Sequence, residues 1–167
     1  LTFHASGGNA ALTTDTAVNG NLTLSTEGTF QVNAPLKVAG NVSINTGTTL
    51  NGNSTTIYVG GNWTESGTFI PSSGTVQFNG SGSQSIAAST FNNLTINKSG
   101  VATLTGNLGV NGNLTFSSGT FDLSTFTADR NSPGGSLALG AGTVLRIGTG
   151  SNYPANFSTN TLSGSST

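Results

Sequence analysis

The chain predicts an all-β protein, a parallel β-helix or β-solenoid of three-faced coils, each about 20 residues long. Three observations carry that expectation. A short phrase returns in register along the 167 residues, apolar residues come in pairs one residue apart, and the turns between the pairs are built from Gly, Asn and Ser. A repeat period of roughly 20 to 50 residues marks solenoids, propellers and arrays.

The phrase is read directly. Val18-Asn-Gly-Asn-Leu-Thr-Leu-Ser25 returns as Val38-Ala-Gly-Asn-Val-Ser-Ile-Asn45, as Val59-Gly-Gly-Asn-Trp-Thr-Glu-Ser66 and as Val110-Asn-Gly-Asn-Leu-Thr-Phe-Ser117. A degenerate copy, Phe91-Asn-Asn-Leu-Thr-Ile-Asn97, lies in the 51-residue gap before Val110. A Gly-Thr-aromatic step follows three copies, at Gly28, Gly67 and Gly119. The alternation of apolar and polar residues is strand periodicity. Leu22/Leu24, Val42/Ile44, Leu94/Ile96 and Leu114/Phe116 are the expected core ladder, with Trp63 in the third copy. Gly and Asn between pairs accept the backbone geometry of tight corners, and Pro35, Pro71, Pro133 and Pro154 fall between strands, where a missing N–H is tolerated. Three hydrophobic steps per period describe a coil with three faces. An antiparallel β-sandwich, adhesin- or pilin-like, shares the many short strands, but it gives no reason for Gly-Asn-Leu-Thr to return in register.

A single domain spanning 1–167 is expected. Residues 1–17 read as an N-terminal edge or arm, 129–135 as a loop interruption, and 148–167 as a C-terminal cap or arm. Thr, Ser, Asn and Gly together supply 95 residues, and only 5% are charged. Disorder usually couples low hydrophobicity with high net charge, whereas this chain is 33% hydrophobic with a net charge of −1. No basic cluster is available for phosphate or anionic lipid, and no run approaches the roughly 20 apolar residues of a membrane-spanning helix. Neither nucleic acid nor membrane insertion is expected. Residue 1 is Leu and Met is absent, which reads as a processed product or a piece of something longer. The lack of Cys removes disulfides and thiolate metal sites.

Gly74-Thr-Val-Gln-Phe-Asn79, Ser83-Gln-Ser-Ile86, the Phe91–Asn97 phrase and Leu145-Arg-Ile-Gly148 with Tyr153-Pro154 resemble the repeats of large, secreted, adhesin-like bacterial surface proteins of the Bacteroidetes type. The resemblance implies secretion, surface attachment or extracellular fibres, and it carries no catalytic residues. No C-terminal sorting domain of the kind found in that family is visible.

Parallel β-helices that cleave polysaccharides need clustered carboxylates. Here Asp15, Glu27, Glu65, Asp122 and Asp129 are scattered through the period, so neither an enzyme nor a cofactor or metal site is expected. His4 reads as a solvated end residue. Asn21, Asn41, Asn62, Asn93 and Asn113 sit in glycosylation sequons, but the repeat generates these automatically, and a ladder of Asn side chains bonded to turn backbone or to the matching Asn one coil away is preferred. Thr23/Ser25, Ser43/Asn45, Thr64/Ser66, Thr95/Asn97 and Thr115/Ser117 form the expected outward polar ladder, which could meet an ordered surface such as ice or a polysaccharide. The inward Glu65 of the third copy requires a partner. The expected role is therefore an extracellular structural one, a subunit or segment of a stiff fibre or adhesin stalk, its exposed strand edges joined end to end by further copies of itself or by further repeats of a longer chain.

Overall fold

The computed structural model describes residues 1–3 and 7–163, and the backbone of 165–166. These form a parallel β-solenoid of about 8 windings, with every regular element a strand and every ladder between strands parallel. Alternating short strands with tight polar corners leaves one solution for burying the apolar residues: each winding turns them inward, and each strand pairs with its equivalent above and below.

The chain traverses three faces per winding. Face A begins with Thr2–Phe3, Leu22–Leu24, Val42–Ile44, Trp63–Glu65 and Gln84–Ile86. Face B stacks Gly8–Leu12, Gly28–Val32, Thr48–Asn51 and Thr68–Ile70, and after a break in pairing continues as Ser89–Phe91, Leu108–Val110 and Ala128–Arg130. Face C runs through Thr16–Val18, Leu36–Val38, Thr56–Val59 and Thr75–Phe78 into the long strands Asn93–Leu104 and Leu114–Asp122. Those two strands start on face C and bend round the corner, so that Ala102–Leu104 and Thr120–Asp122 extend face A. The bend is marked by register shifts around Asn97, as expected where an irregularity lets a strand turn without ending.

The stretches expected at the ends and in the loop take part in the winding. Thr2–Phe3, Gly8–Leu12 and Thr16–Val18 form the first winding, each paired with the strand above it. Within 129–135, Arg130 closes a face B strand and the next strand opens at Gly134. The Arg130 guanidinium is gathered by three backbone carbonyls, those of Gly112 at 3.1 Å, Asn111 at 2.5 Å and Ser132. Residues 148–167 contain a further strand, Phe157–Leu162, in parallel register with Gly134–Leu139, and a short one, Ser165–Ser166, paired with Val144–Arg146.

A continuous apolar column fills the axis. Its lower half is aliphatic apart from Phe30, which meets Phe3 at 4.9 Å. In the middle, Trp63, Phe69, Phe78 and Phe91 form a cluster, with Trp63 meeting Phe69 edge-on at 4.9 Å and Phe91 at 5.5 Å. Edge-to-face packing adds about 0.5–1.5 kcal/mol per pair beyond area burial. The cluster lies at the level where face B breaks, with Phe69 and Phe91 on either side of the break and their rings 5.8 Å apart.

Candidate functional site

The functional candidates are the ladders and the two ends of the stack. Leu22 pairs with Val42 and Val42 with Trp63, one winding apart on face A. All three are fully buried. Leu24 and Ile44 stack beside them, and the column continues to Ile86 above Trp63. Leu94 and Leu114, with Ile96 and Phe116, are equally buried but stack on face C, above Val76 and Phe78. The phrase therefore does not mark one face. It marks a corner: between faces C and A at Asn21, Asn41 and Asn62, and between faces B and C at Asn93 and Asn113. The Gly-Thr-aromatic step moves with it, from face B at Phe30 and Phe69 to face A at Phe121. This shift of one corner is why the copies before and after the 51-residue gap are not separated by whole windings.

The corner chemistry explains the phrase. The Asn21 side-chain oxygen accepts a hydrogen bond from the Asn41 N–H at 2.9 Å, Asn41 accepts from Asn62 at 2.8 Å, and Asn62 from Ser85 at 2.8 Å. The shifted set repeats the pattern, with Asn93 accepting from Asn113 at 3.0 Å and Asn113 from Ser136 at 2.9 Å. Each carboxamide thus satisfies a corner N–H that no strand can reach. The preceding glycine makes room for it. A Cβ at Gly40 would lie 2.3 Å from the Asn21 oxygen, at Gly61 2.3 Å from that of Asn41, and at Gly112 2.4 Å from that of Asn93. Asn92 replaces the glycine in the degenerate copy, where Thr75, and not Asn, lies one winding below Asn93. A second kind of Asn ladder runs side chain to side chain, from Asn53 to Asn33 at 2.6 Å and from Asn131 to Asn111 at 2.7 Å; residue types alone gave no means of telling which Asn would do which.

The outward polar residues divide in the same way. Thr23, Ser43 and Thr64 form one column on face A, with the Thr64 hydroxyl donating to Ser43 Oγ at 3.1 Å. Thr95 and Thr115 belong to face C, in a column that also presents Lys37, Tyr58 and Gln77. At the following corners, Asn45 and Ser66 donate their N–H groups to the windings below, Ser25 lies beneath them, and Asn97 accepts from Ser118 at 3.0 Å while Ser117 is exposed. The array is two short mixed columns and not one extended flat ladder.

The carboxylates are engaged singly. Glu65 sits at the register position of Ile44 and accepts from Ser89 Oγ at 2.5 Å, the Phe69 N–H at 3.1 Å and the Trp63 indole at 3.4 Å, the partners that its inward position requires. Asp122 pairs with Arg146 at 3.0 Å, and Asp129 accepts the Ala155 N–H at 2.8 Å. Asp15 and Glu27 are exposed. Among the described residues no three His, Cys, Asp or Glu side chains gather as a metal site, and no helix is long and apolar enough to cross a membrane. His4 lies outside the described residues.

Both ends of the stack are open edges. Among the described residues Gly8–Leu12 pairs only with Gly28–Val32, and Phe157–Leu162 only with Gly134–Leu139. Phe3, Ala10 and Leu12 are only partly buried at the lower end, and Leu162 is 56% exposed at the upper. Among the described residues no helix covers either edge. The fold thus defines a parallel β-solenoid. Comparison with protein-family models, curated proteins and solved structures gave no match.

Proposed function

We propose that this chain is a non-catalytic structural element, a rigid extracellular rod that lengthens by stacking winding on winding, as in a fibre or the stalk of a bacterial surface adhesin. The observation that carries the reading is the stack itself: every strand pairs in parallel register with its equivalent one winding away, so a further winding of the same kind lengthens the rod. Each terminal winding presents unpaired parallel strands beside incompletely buried apolar side chains, and an unpaired edge is a template for a further strand. A second copy seated head to tail, or further repeats of a longer chain, would add backbone ladders at these edges and bury Phe3, Leu12 and Leu162. The engagement of Glu65, Asp122 and Asp129 in structural hydrogen bonds favours a structural role over catalysis, and the resemblance to secreted surface repeats favours an extracellular one.

Electron microscopy and sedimentation of the purified chain across a concentration series test the proposal. Filaments of uniform width, lengthening with concentration in steps of roughly 40 Å for about eight strands spaced ~4.8 Å apart, are the expected result. Discrete particles of one rod length at the highest concentration would refute self-stacking.

A further inference from the structure

The lateral surface carries a hollow of about 610 Å³ at the corner between faces C and A, lined among others by Ala17, Lys37, Ala39, Tyr58, Gly60 and the turn 79–82. Such a volume falls within the usual range for small-ligand sites, roughly 300–1,000 Å³. We propose that this hollow is a carbohydrate-binding site for an acidic glycan, with a sugar ring against Tyr58 and a uronate carboxylate on Lys37.

Small residues make the floor. Lys37 and Tyr58 are register neighbours on consecutive windings, and Ala17 lies below Lys37, so the two long side chains leave adjacent strands about 4.8 Å apart and border the same hollow. Neither the Tyr58 hydroxyl nor the Lys37 ammonium has a hydrogen bond or ion pair among the described residues. A half-buried tyrosine offers a rigid flat surface with a polar tip, and a free ammonium makes a strong charge-assisted bond to a carboxylate. Asn19, Asn79 and Ser81 add the hydroxyl and carboxamide groups that sugar hydroxyls require. Val18 and Val38 also border the hollow beside Ala17 and Ala39, and the polar groups of Asn19, Lys37, Asn79 and Ser81 around them favour a hydroxyl-rich ligand over an apolar peptide anchor.

The rim is built and held. At the two windings below, the corner has three residues, 39–41 and 60–62; here five, 79–83, separate Phe78 from Gln84. The longer turn is fixed from inside by two polar side chains, Gln84 and Lys98, each only 3% exposed. Gln84 accepts from the Gly80 N–H at 3.2 Å and donates to the carbonyls of Val59 at 2.9 Å and Gly61 at 2.5 Å. The Lys98 ammonium donates to the Gly82 carbonyl at 2.5 Å and to Val101 at 3.1 Å. Burying an amide and an ammonium is unfavourable unless their partners are supplied, and the simple corner 39–41 needs neither, its Gly40 carbonyl accepting from the Gly61 N–H. Their effect is to preorganise the rim, which lowers the ordering cost of binding.

The test is titration of the isotopically labelled chain with a trisaccharide of galacturonic acid and with the matching neutral galactose trisaccharide, followed by amide NMR. Saturable shifts confined to residues near 17–19, 37–39, 58–60 and 79–82 are expected, larger for the acidic sugar. Tyr58→Ala should weaken both sugars by about tenfold or more, the loss associated with removing a central aromatic contact. Lys37→Gln should abolish the preference for the acidic sugar while retaining the neutral one. Tyr153→Ala, on an exposed tyrosine elsewhere, should change nothing. Unchanged fluorescence of buried Trp63 verifies that each variant is folded. Absence of saturable shifts at millimolar sugar, shifts that map elsewhere, indifference to Tyr58→Ala, or response to an acidic peptide with both sugars silent would each overturn the assignment. The hollow is lateral, so its failure leaves the stacking of ends untouched.

Discussion

Gly20 and Gly112 occupy the same hexapeptide, Val-Asn-Gly-Asn-Leu-Thr, yet alanine at the two positions should act in opposite directions. At Gly112 the new Cβ would lie 2.4 Å from the Asn93 side-chain oxygen and 3.0 Å from the Asn92 carbonyl. The carboxamide must retreat by about an ångström to reach ordinary contact, which breaks its 3.0 Å bond from the Asn113 N–H. A lost hydrogen bond costs about 0.5–1.5 kcal/mol and the crowding about 1–3 kcal/mol. A stiffer unfolded chain offsets roughly 0.4–1 kcal/mol of this. The net expectation for Gly112→Ala is a destabilisation of about 1–3 kcal/mol. At Gly20 no atom lies within 4 Å of the added carbon and the backbone φ is not positive, so only the unfolded-state gain of about 0.4–1 kcal/mol remains. Urea unfolding followed by the fluorescence of the single tryptophan gives both numbers. The decisive arm is Asn93→Ala/Gly112→Ala: removing the carboxamide relieves the closest contact, so the double variant should be more stable than the sum of the single losses predicts, by about 1 kcal/mol or more. Additivity within about 0.5 kcal/mol, or equal losses at Gly20 and Gly112, would refute the account of the corner.

Trp63→Ala should cost about 3–5 kcal/mol, because the indole is fully buried among Phe69 and Phe91; calorimetry reads the loss as a lowered Tm. Glu65→Ala leaves Ser89 Oγ and the Phe69 N–H without their acceptor, a loss of about 1–3 kcal/mol in urea unfolding, and Glu65→Gln, which keeps one oxygen, should lose less. Burial holds the Lys98 ammonium below the ordinary lysine value. The folded state therefore releases this proton at lower pH than the unfolded chain, and between the two values the unfolded chain binds more protons, so stability rises with pH. Burial raises the Tyr153 phenol, which has the opposite effect above its ordinary value. The difference in Tm between the wild-type chain and Lys98→Met cancels the tyrosine, and it should move in favour of the wild type as pH increases from neutrality towards 10; a flat difference would refute the buried-ammonium reading.

Much of the fold was legible because the solenoid is quasi-one-dimensional. A pair such as Val42/Ile44 names an inward strand by its spacing alone, and a return after one winding names its neighbour. The Asn ladder was legible for the same reason, since a polar side chain recurring beside a glycine once per winding has the equivalent corner of the next winding to meet. The long strands Asn93–Leu104 and Leu114–Asp122 were not, because turning a corner without breaking needs a bulge at Asn97, and nothing local distinguishes that bulge from a turn. The hollow at Tyr58 was not legible either: Ala17, Lys37, Tyr58 and Ser81 are distant in sequence, and each taken alone is an ordinary outward residue.

The sequence by itself determined the period, the inward and outward alternation and the residue types at each corner, because these depend on strand geometry and on contacts one winding away. Only the tertiary structure decided which corner carries the phrase. Leu22, Val42 and Trp63 stack on face A while Leu94 and Leu114 stack on face C, although their phrases read alike. The reason is physical: the Asn–Gly contact needs only a matching corner one winding away, so the phrase fits more than one corner, and its change of corner comes after the Trp63, Phe69 and Phe91 cluster and the break in face B.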